Sequence, residues 1–338
     1  MKAMVFENKF EVSVKEVENP LRSPEQALIR ILACGICGGD IHFYEGEHPY
    51  SNYPRIAGHE LVGVIEELPK NFPGLKVGDR VVATILYNCG RCYPCRHGRP
   101  NCCADLHTMG IHVPGAYGEF LAVPAENLVK VPDNLTLEEA VLTEPYTIGN
   151  HVVGRSGIPE GEAALVLGVG PIGLAIVDIL KAKGHKVIVS DPSPYRRRKA
   201  LAIGADIAVN PAEDDLLAAV LCETDNEGMG YVFEAAGAPK VMESTFSLVA
   251  ASGTIIIAGL TKYSLTFPGT DFTRKELSVI GSRNAVRKDF EAVLNLLERG
   301  VLHPGELLTK TIKIDDAAEE FRKLYADQSK DIKAAIYF

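Results

Sequence analysis

The sequence predicts an α/β protein built from a mostly β domain and a doubly wound parallel sheet. A chain of 338 residues is about twice the usual domain length, so two domains are the starting expectation. Short β-type runs separated by Gly, Pro and Asn fill residues 1 to about 150. From residue 162 onward, apolar strands alternate with helical patterns, which is typical of βαβ units in a parallel sheet.

The first region predicts an antiparallel, loop-rich unit. Its clearest β-type runs are residues 27–33, 61–66 and 80–83. Each run is short and is bounded by turn-forming residues, as expected of strands joined by hairpins and loops.

The second region predicts alternating strands and helices. In chain order they are ALVLG, GLAIVDILKAKG, KVIVSD, RRRKALAIGA, IAVN, YVFEAAG, a helix from about residue 240 to 250, TIIIAG and LSVIGS. After residue 284 come two helical patterns, DFEAVLNLLERG and DAAEEFRKLYA, and a closing strand, AAIYF. This last strand needs a partner, so we expect the chain to return to the first unit.

Composition excludes several classes of function. With 35 basic and 44 acidic residues the net charge is -9, which opposes binding to nucleic acid or to anionic lipid. The amino terminus lacks the apolar core of a signal peptide, and the most apolar window, residues 163–177, is too short to span a bilayer and is interrupted by Gly and Pro. We therefore expect a cytoplasmic protein with no membrane segment.

A cysteine-rich loop indicates a metal site. Cys89, Cys92 and Cys95 are spaced by two residues each, and Cys103 follows after seven more. Four thiolates at such spacing can surround one tetrahedral zinc ion, and a saturated site of this kind is structural. Cys102 is a spare thiol that can replace Cys103 in the ligand set. The spacing alone leaves this choice open.

A second metal site is indicated by CGGDIH, which begins at Cys37. Downstream lie His59 and Glu60 in GHE, and Glu144 in TEP. Three such ligands with one position left for water or substrate form a catalytic zinc site. The sequence does not choose between Glu60 and Glu144 as the resting ligand, and a single histidine can also be an ordinary hydrogen-bonded core residue.

A glycine-rich turn between a strand and a helix predicts dinucleotide binding. The turn consists of Gly168, Val169, Gly170, Pro171, Ile172 and Gly173. Its glycines allow a tight turn, close approach of backbone to the pyrophosphate and close packing of helix on strand. Asp191 follows eighteen positions after the last glycine, where a carboxylate accepts hydrogen bonds from the adenosine ribose. Since a carboxylate repels a 2′-phosphate, NAD is expected rather than NADP.

The basic run from Arg196 to Lys199 has two interpretations. An arginine near the ribose, such as Arg196, can accept the 2′-phosphate of NADP. The alternative is a solvated helix face, which the presence of Asp191 favours.

Together these motifs resemble the zinc-containing medium-chain dehydrogenase/reductase family and, within it, the polyol (sorbitol) dehydrogenase branch. GICGGDIH, GHE, the four-cysteine loop, TEP, GVGPIG and GSRNA occur in the family's order along essentially the whole chain. The resemblance implies a discontinuous GroES-like catalytic domain, 1–148 and 285–338, and a Rossmann NAD-binding domain, 149–284. It also implies one catalytic and one structural zinc ion per chain and a homodimer or homotetramer.

The resemblance also assigns individual residues. Cys37, His59 and Glu60 match the catalytic ligands, and Glu144 matches the carboxylate of polyol-type members. The structural site is matched by Cys89, Cys92, Cys95 and Cys103, whereas Cys34 and Cys222 match nothing.

One position departs from the family's pattern. In these enzymes zinc polarises the substrate hydroxyl, and the released proton commonly passes through a serine or threonine to a histidine. The histidine is present as His42, but Gly39 replaces the hydroxyl residue. Water or a substrate hydroxyl can bridge the gap, or Glu60 or Glu144 can take the proton.

Two segments indicate the substrate class. GIHVPGAYGEFLAVP and GSRNAVRKDF resemble bacterial sugar-acid dehydrogenases of the L-galactonate-oxidising kind. The leading hypothesis is therefore oxidation of a secondary alcohol on an aldonate or polyol, with L-threonine and sugar-alcohol phosphates as alternatives. A non-catalytic regulator that binds zinc and dinucleotide is the alternative from another class. The candidate pocket residues are Tyr44, His48, Tyr50, Arg283 and Asn284.

Overall fold

The computed structural model describes residues 1–48, 50–327 and 329–338. The chain forms two compact units. The first contains Met1–Glu144, Ala285–Gly300 and Leu308–Phe338, and the second contains Pro145–Asn284 and Val301–Leu307. The chain thus passes from the first unit to the second after residue 144, where the family resemblance implies residue 148. Residues 301–307 also belong to the second unit.

The secondary structure alternates strands and helices along the chain. The strands are β1 (Lys2–Asn8), β2 (Glu11–Glu16), β3 (Gln26–Gly35), β4 (Glu60–Glu67), β5 (Arg80–Ala83), β6 (Leu86–Tyr87), β7 (His107–Thr108), β8 (Phe120–Pro124), β9 (Leu128–Lys130), β10 (Ala164–Leu167), β11 (Val187–Ser190), β12 (Ile207–Val209), β13 (Met229–Glu234), β14 (Val249–Ile257), β15 (Ser278–Gly281), β16 (Leu308–Lys313) and β17 (Lys333–Tyr337).

The α-helices lie between these strands. They are α1 (Gly38–Tyr44), α2 (Tyr93–Arg96), α3 (Leu137–Val141), α4 (Thr143–Ser156), α5 (Pro171–Ala182), α6 (Pro194–Ile203), α7 (Leu216–Cys222), α8 (Pro239–Leu248), α9 (Gly269–Arg274), α10 (Arg287–Glu298), α11 (Pro304–Leu307) and α12 (Ala317–Ala326). Short 3-10 turns occupy Pro100–Cys102, Ala125–Asn127 and Ile314–Asp316. No helix of the described residues is long and apolar enough to cross a membrane.

The first unit is built on a sheet in the order β16-β17-β3-β4-β5-β9, with β8 also pairing β3. The closing strand β17 runs antiparallel to β3, with Ile336 opposite Cys34, which confirms that it finds its partner in the first unit. The sheet is not purely antiparallel, because β16 and β17 pair in parallel. Helix α12 connects these two strands, and a crossover of this kind is what parallel pairing requires.

Aromatic side chains form much of the core of the first unit. The Phe6 ring lies 5.1 Å from that of Phe321 and 5.8 Å from that of Phe43, in edge-on contacts. Tyr44 joins the same cluster at 5.3 Å from Phe321, and its hydroxyl donates to the Phe10 carbonyl oxygen. Tyr44 is therefore a packing residue, with its polar end satisfied.

The second unit is a parallel six-stranded sheet in the order β12-β11-β10-β13-β14-β15. The strand order reverses between β10 and β13, as in doubly wound dinucleotide-binding folds. Leu167 at the end of β10 lies opposite both Ser190 and Glu234. The glycine turn and Asp191 consequently begin at the same edge of the sheet, where ligands of such folds bind.

Local differences from the sequence prediction are small. The predicted helix at about 240–250 is α8, which ends at Leu248, and β14 begins immediately afterwards at Val249. Helix α4 was not expected from the pattern, since its sequence contains a proline, two glycines and two threonines. Proline is tolerated in the first turn of a helix, where its missing N–H has no intrahelical partner.

Candidate metal and cofactor sites

The CGGDIH stretch forms the start of helix α1, and Cys37 is its N-terminal cap. The Cys37 sulfur accepts a hydrogen bond from the Gly39 N–H at 3.5 Å, while the Cys37 N–H donates to the Asp40 carboxylate at 2.9 Å. Asp40 is 3% exposed and also accepts the Tyr117 hydroxyl at 2.7 Å. This reciprocal capping holds the thiol in one place.

Cys37 lies beside His59 and Glu60, which are at the beginning of β4. One ligand atom from each of the three side chains lies within 4.8 Å of the others. His59 and Glu60 are both buried, and the His59 Nδ1 and Glu60 Oε2 atoms have no hydrogen-bond partner among the described residues. Because unpartnered buried polar atoms are costly, a bound metal ion accounts for them best.

A buried lysine holds the other oxygen of Glu60. The Lys333 ammonium, at the start of β17, donates to Glu60 Oε1 and to the Ile36 carbonyl oxygen. Both charged side chains are nearly inaccessible, at 3% and 1% exposure. Gly35 makes room for the carboxylate, since a Cβ there would lie 2.1 Å from Glu60 Oε2. Sequence reasoning missed Lys333, although a lone lysine in an apolar strand was the available signal.

Glu144 lies near these residues but outside the three-residue group. Burial raises the pKa of Glu144 to about 7, and the nearby His59 opposes this shift. Burial lowers the pKa of His59, but the charges of Cys37, Asp40 and Glu144 outweigh it and raise that pKa well above the usual value. The geometry therefore brings Cys37, His59 and Glu60 together, with Glu144 as a neighbouring carboxylate.

The four-cysteine loop closes on itself in the first unit. The sulfur atoms of Cys89, Cys92, Cys95 and Cys103 all lie within 4.8 Å of one another. Cys102 is not in this group, so the geometry selects Cys103. Cys92 caps the short helix α2, and the backbone N–H groups of Ala104 and Cys95 lower its pKa to about 6. Four converging thiols with N–H donors around them suit a tetrahedral zinc ion.

The glycine-rich turn of the second unit requires two of its glycines. Gly168 has a φ of +84°, and Gly173 packs so closely that a Cβ would lie 1.9 Å from the Gly168 carbonyl oxygen. At Gly170 a Cβ would meet only the Arg196 guanidinium, at 3.9 Å, so space remains there. Gly170 caps helix α5, whose first turn contains Pro171 and Ile172. A free helix amino terminus of this kind favours a phosphate group.

Asp191 joins the end of β11 to the glycine-rich turn. Its carboxylate accepts the Val169 N–H at 2.9 Å and the Ser193 N–H at 2.8 Å, and it is 3% exposed. Each carboxylate oxygen keeps a further lone pair, so the ribose hydroxyls can still donate to it. An Arg196 Nη1 atom lies 4.0 Å from the same carboxylate.

The basic run after Asp191 is not a purely solvated face. Arg197 donates to the Asp191 and Pro192 carbonyl oxygens, and Lys199 pairs with Glu306 at 2.8 Å. Arg198 is exposed. These contacts tie most of the run to the unit itself.

His42 is exposed on helix α1, and its Nδ1 lies 3.3 Å from the Glu45 carboxylate. A Cβ at Gly39 would lie 3.8 Å from the Cys37 sulfur, so the position has space for a side chain but no hydroxyl. Among the other candidate pocket residues, His48 and Tyr50 lie in the first unit with ring centroids 5.8 Å apart. Arg283 and Asn284 belong to the second unit.

Two family profiles match the chain. Residues 23–133 match the alcohol dehydrogenase GroES-like domain, and residues 171–299 match the zinc-binding dehydrogenase domain. The first match covers both metal clusters of the first unit, and the second begins at Pro171, inside the glycine-rich turn.

Similar proteins match over nearly the whole chain. An L-galactonate-5-dehydrogenase from Escherichia coli K12 is 35% identical, covering 100% of this chain and 99% of its own. An L-threonine 3-dehydrogenase from Pyrococcus horikoshii is 35% identical, covering 90% and 89%. The crystal structure of an alcohol dehydrogenase, rspB from Escherichia coli CFT073, complexed with NADH has a TM-score of 0.93 at 33% identity, covering 100% and 99%.

The matched domains and the relatives agree with the resemblance drawn from the motifs. They bear out an α/β fold with a GroES-like and a Rossmann-like part, and an oxidoreductase that uses zinc and a nicotinamide dinucleotide. The chain belongs to the zinc-containing medium-chain dehydrogenase/reductase family.

Proposed function

We propose that this protein oxidises a secondary alcohol of a sugar acid, an aldonate resembling L-galactonate, or of a polyol, and passes the hydride to NAD. The observation that carries the proposal is the Cys37, His59 and Glu60 cluster with its two unpartnered buried atoms. The full-length similarity to an L-galactonate-5-dehydrogenase supports the sugar-acid substrate.

Cys37, His59 and Glu60 are the proposed ligands of the catalytic zinc, with Glu144 as the neighbouring carboxylate able to join them. When bound, zinc supplies a Lewis acid that favours the alkoxide form of the substrate hydroxyl. Lys333 holds Glu60 in place through Oε1 and leaves Oε2 for the site. Cys89, Cys92, Cys95 and Cys103 are the proposed ligands of the structural zinc, matching the geometry described above.

The released proton has two proposed acceptors. His42 lies on the exposed side of helix α1, where its Nδ1 is 3.3 Å from the Glu45 carboxylate. Because Gly39 carries no hydroxyl, a water molecule or a second hydroxyl of the substrate must connect the substrate to His42. Glu144 is the alternative acceptor, since it is a buried carboxylate beside the proposed zinc ligands.

NAD is the proposed cofactor, in preference to NADP. The buried Asp191 carboxylate stands at the end of β11, where the adenosine ribose of such folds binds. Its negative charge repels a 2′-phosphate. The nearby Arg196 already faces Asp191, which partly neutralises its charge.

The test is NADH formation by purified, zinc-loaded protein with aldonates, polyols, sugar-alcohol phosphates, L-threonine and simple alcohols, with NADP in parallel. We expect turnover on an aldonate or polyol with NAD and its loss in Cys37→Ser. L-threonine is the second candidate because of the threonine dehydrogenase relatives, and preferred turnover of it would replace the sugar acid. Binding of zinc and NADH without turnover of any substrate would favour the non-catalytic regulator.

The proposal also covers the cellular location, the oligomeric state and the partners of the enzyme. We place it in the cytoplasm, as a homodimer or homotetramer acting on a small polyhydroxylated molecule, with no nucleic-acid or membrane partner. The net charge of -9 supports the last part of this assignment.

A further inference from the structure

A row of rings lies in the first unit and has no role in the chemistry described so far. The His48 and Tyr50 rings are 5.8 Å apart, those of Tyr50 and His112 are 4.5 Å apart, and those of His112 and His107 are 5.3 Å apart. We call these four residues the histidine row. It joins the loop after α1 to β7 and the segment that follows it, which are remote in sequence from that loop.

The histidine row begins at the far end of the helix that Cys37 caps. The His48 N–H donates to the His42 carbonyl oxygen at 3.2 Å, and the His48 ring packs 6.4 Å from that of Phe43 on helix α1. Cys37 caps the other end of this seven-residue helix. His48 also interacts electrostatically with His59. A multi-carbon substrate held at Cys37 would extend along this helix, which is about 10 Å long, toward the histidine row.

Two of the histidines offer N–H donors. The His48 Nδ1 accepts the Tyr50 N–H at 3.3 Å, and the His112 Nδ1 accepts the Thr108 N–H at 3.1 Å. Since Nδ1 accepts in both rings, the proton of each neutral ring is on Nε2. Burial, followed by neighbouring positive groups, lowers the pKa of both rings and keeps them neutral.

Arg55 adds a positive charge without a counter-ion. Its backbone is anchored by two hydrogen bonds of 2.9 Å with Phe6, and its guanidinium is near enough to His112 to lower the pKa of that ring. The half-buried side chain makes no ion pair with a described residue, and its Nε atom is buried without a hydrogen-bond partner among them. The buried Nε is costly to leave without an acceptor, and an anionic ligand can supply one.

The acidic side chains near the histidine row have other contacts. Glu45 and Glu47 gather around His42 at the end of helix α1. Asp40, which acts on His48 electrostatically, accepts the Tyr117 hydroxyl. The remaining groups that act on the two rings are histidines and Arg55, and since both rings are neutral, Arg55 supplies the positive charge beside the histidine row.

We propose that Arg55, His48 and His112 form a subsite that binds the carboxylate of an aldonate substrate and selects it over the corresponding neutral polyol. The inference rests on the proposed function and deepens it. The planar guanidinium matches a carboxylate, and the two imidazole N–H groups supply further donors. A neutral hydroxymethyl group would leave the arginine charge uncompensated.

The experiment compares L-galactonate with galactitol, which has a hydroxymethyl group where L-galactonate has a carboxylate. Arg55→Gln is expected to raise the KM for L-galactonate by about 10- to 100-fold, the loss typical of a charged hydrogen bond. Calorimetric binding of L-galactonate should weaken by a similar factor, and kinetics with galactitol should not change. Arg55→Lys should recover part of the loss. The matched control is Arg30→Gln, which removes an exposed arginine paired with Glu66.

The possible outcomes separate the two proposals. If the wild type turns over no aldonate, the proposed sugar-acid activity and the subsite both fail. If it oxidises L-galactonate and Arg55→Gln leaves the KM unchanged, only the subsite is wrong. Equal losses on L-galactonate and galactitol would assign Arg55 a structural role and overturn the subsite.

Two further arms complete the test. Preferred turnover of a sugar-alcohol phosphate, lost in Arg55→Gln, would assign a phosphate rather than a carboxylate and overturn the inference. If Arg55→Gln does not fold, His112→Gln replaces it, with the same expected rise in the KM for L-galactonate only. An unchanged KM in that variant contradicts the subsite.

Discussion

At the scale of single residues, the catalytic cluster depends on a few buried charges that hold one another. Glu60 has one oxygen on Lys333 and the other without a partner among the described residues. A buried carboxylate remains charged only if a cation or a metal compensates it. Lys333 is therefore a positioning residue for Glu60, whether or not zinc is bound.

We expect Lys333→Met to destabilise the zinc-free protein by about 3–5 kcal/mol at neutral pH, because it leaves the Glu60 carboxylate buried and unpaired. Urea unfolding measures this loss. Adding Glu60→Gln to Lys333→Met should restore most of the stability, since no uncompensated charge remains. Additive losses in the double variant would contradict the pairing.

A surface lysine provides the control for the Lys333 and Glu60 variants. Lys323 is 57% exposed and pairs with Glu319 at 2.7 Å. Exposed ion pairs contribute little to stability. Lys323→Met should therefore unfold at the wild-type urea concentration.

At the scale of elements, two of the sites are each formed by one short segment of chain. The four-cysteine loop brings its sulfur atoms together within 15 residues of chain, counting from Cys89 to Cys103. The glycine-rich turn does the same for the phosphate site, through a strand, two obligatory glycines and a helix amino terminus. Such sites depend on local geometry. We therefore expect substitution of a ligand residue to abolish binding at the site, and substitution of its neighbour in the same segment to leave binding unchanged.

The adjacent cysteines of the loop should differ sharply. Cys103→Ala is expected to remove one zinc ion per chain and to lower the melting temperature, because three thiolates do not complete a tetrahedral site. Cys102→Ala is the matched control and should keep full zinc content, since its sulfur is outside the cluster. Elemental analysis of the purified variants measures the number of zinc ions per chain and so distinguishes the two cysteines. Equal zinc loss in both would show that the ligand set is wrong.

The pairing of β5 with β9 should depend on pH through Asp79. Asp79 accepts the Lys130 ammonium at 2.8 Å and the Lys76 N–H at 2.9 Å. The hydrogen bond from Lys130 lowers the pKa of Asp79 in spite of burial. Its contribution to stability is therefore present above the unfolded pKa of about 4 and is lost as the pH falls through the lower folded value.

The measurement is the urea midpoint of wild type and Asp79→Asn at several pH values. We expect Asp79→Asn to be less stable at pH 7 and the difference to shrink as the pH falls below about 4. Asp133→Asn, at an exposed carboxylate, should follow the wild type throughout. If the difference in urea midpoint between the wild type and Asp79→Asn stays constant with pH, the charge of Asp79 does not cause the loss of stability.

At the scale of the whole molecule, the second unit presents an open sheet edge. Strand β15 is the last strand of the parallel sheet, and Val279 on it is 43% exposed. Native proteins usually cover, charge or pair such an edge. Pairing with the same strand of a second copy around a two-fold axis satisfies it and agrees with the proposed homodimer or homotetramer.

Light scattering after gel filtration tests the proposed assembly. We expect the wild type to have at least twice the mass of one chain and Val279→Lys to dissociate, since a buried lysine at a paired edge is unfavourable. Leu21→Lys, at a residue 96% exposed in the first unit, should keep the wild-type mass. A monomeric wild type, or a mass unchanged in Val279→Lys, would contradict assembly through this edge.

The sequence by itself determined the features that arise from neighbouring residues. The strand-turn-helix context of the glycine-rich turn, the cysteine spacing and the alternation of strands and helices all follow from local geometry and periodicity. The closing strand was also predictable, because an apolar strand after a completed parallel sheet needs another partner. These features required no knowledge of how remote segments meet.

Only the tertiary structure decided which remote residues share a site. Lys333 meets Glu60 across 273 positions of chain, and His112 meets Tyr50 from another segment. The structure likewise chose Glu60 over Glu144 as the neighbour of Cys37 and His59, and Cys103 over Cys102. The physical reason is that such contacts depend on strand register and core packing summed over the whole unit, which no short pattern encodes.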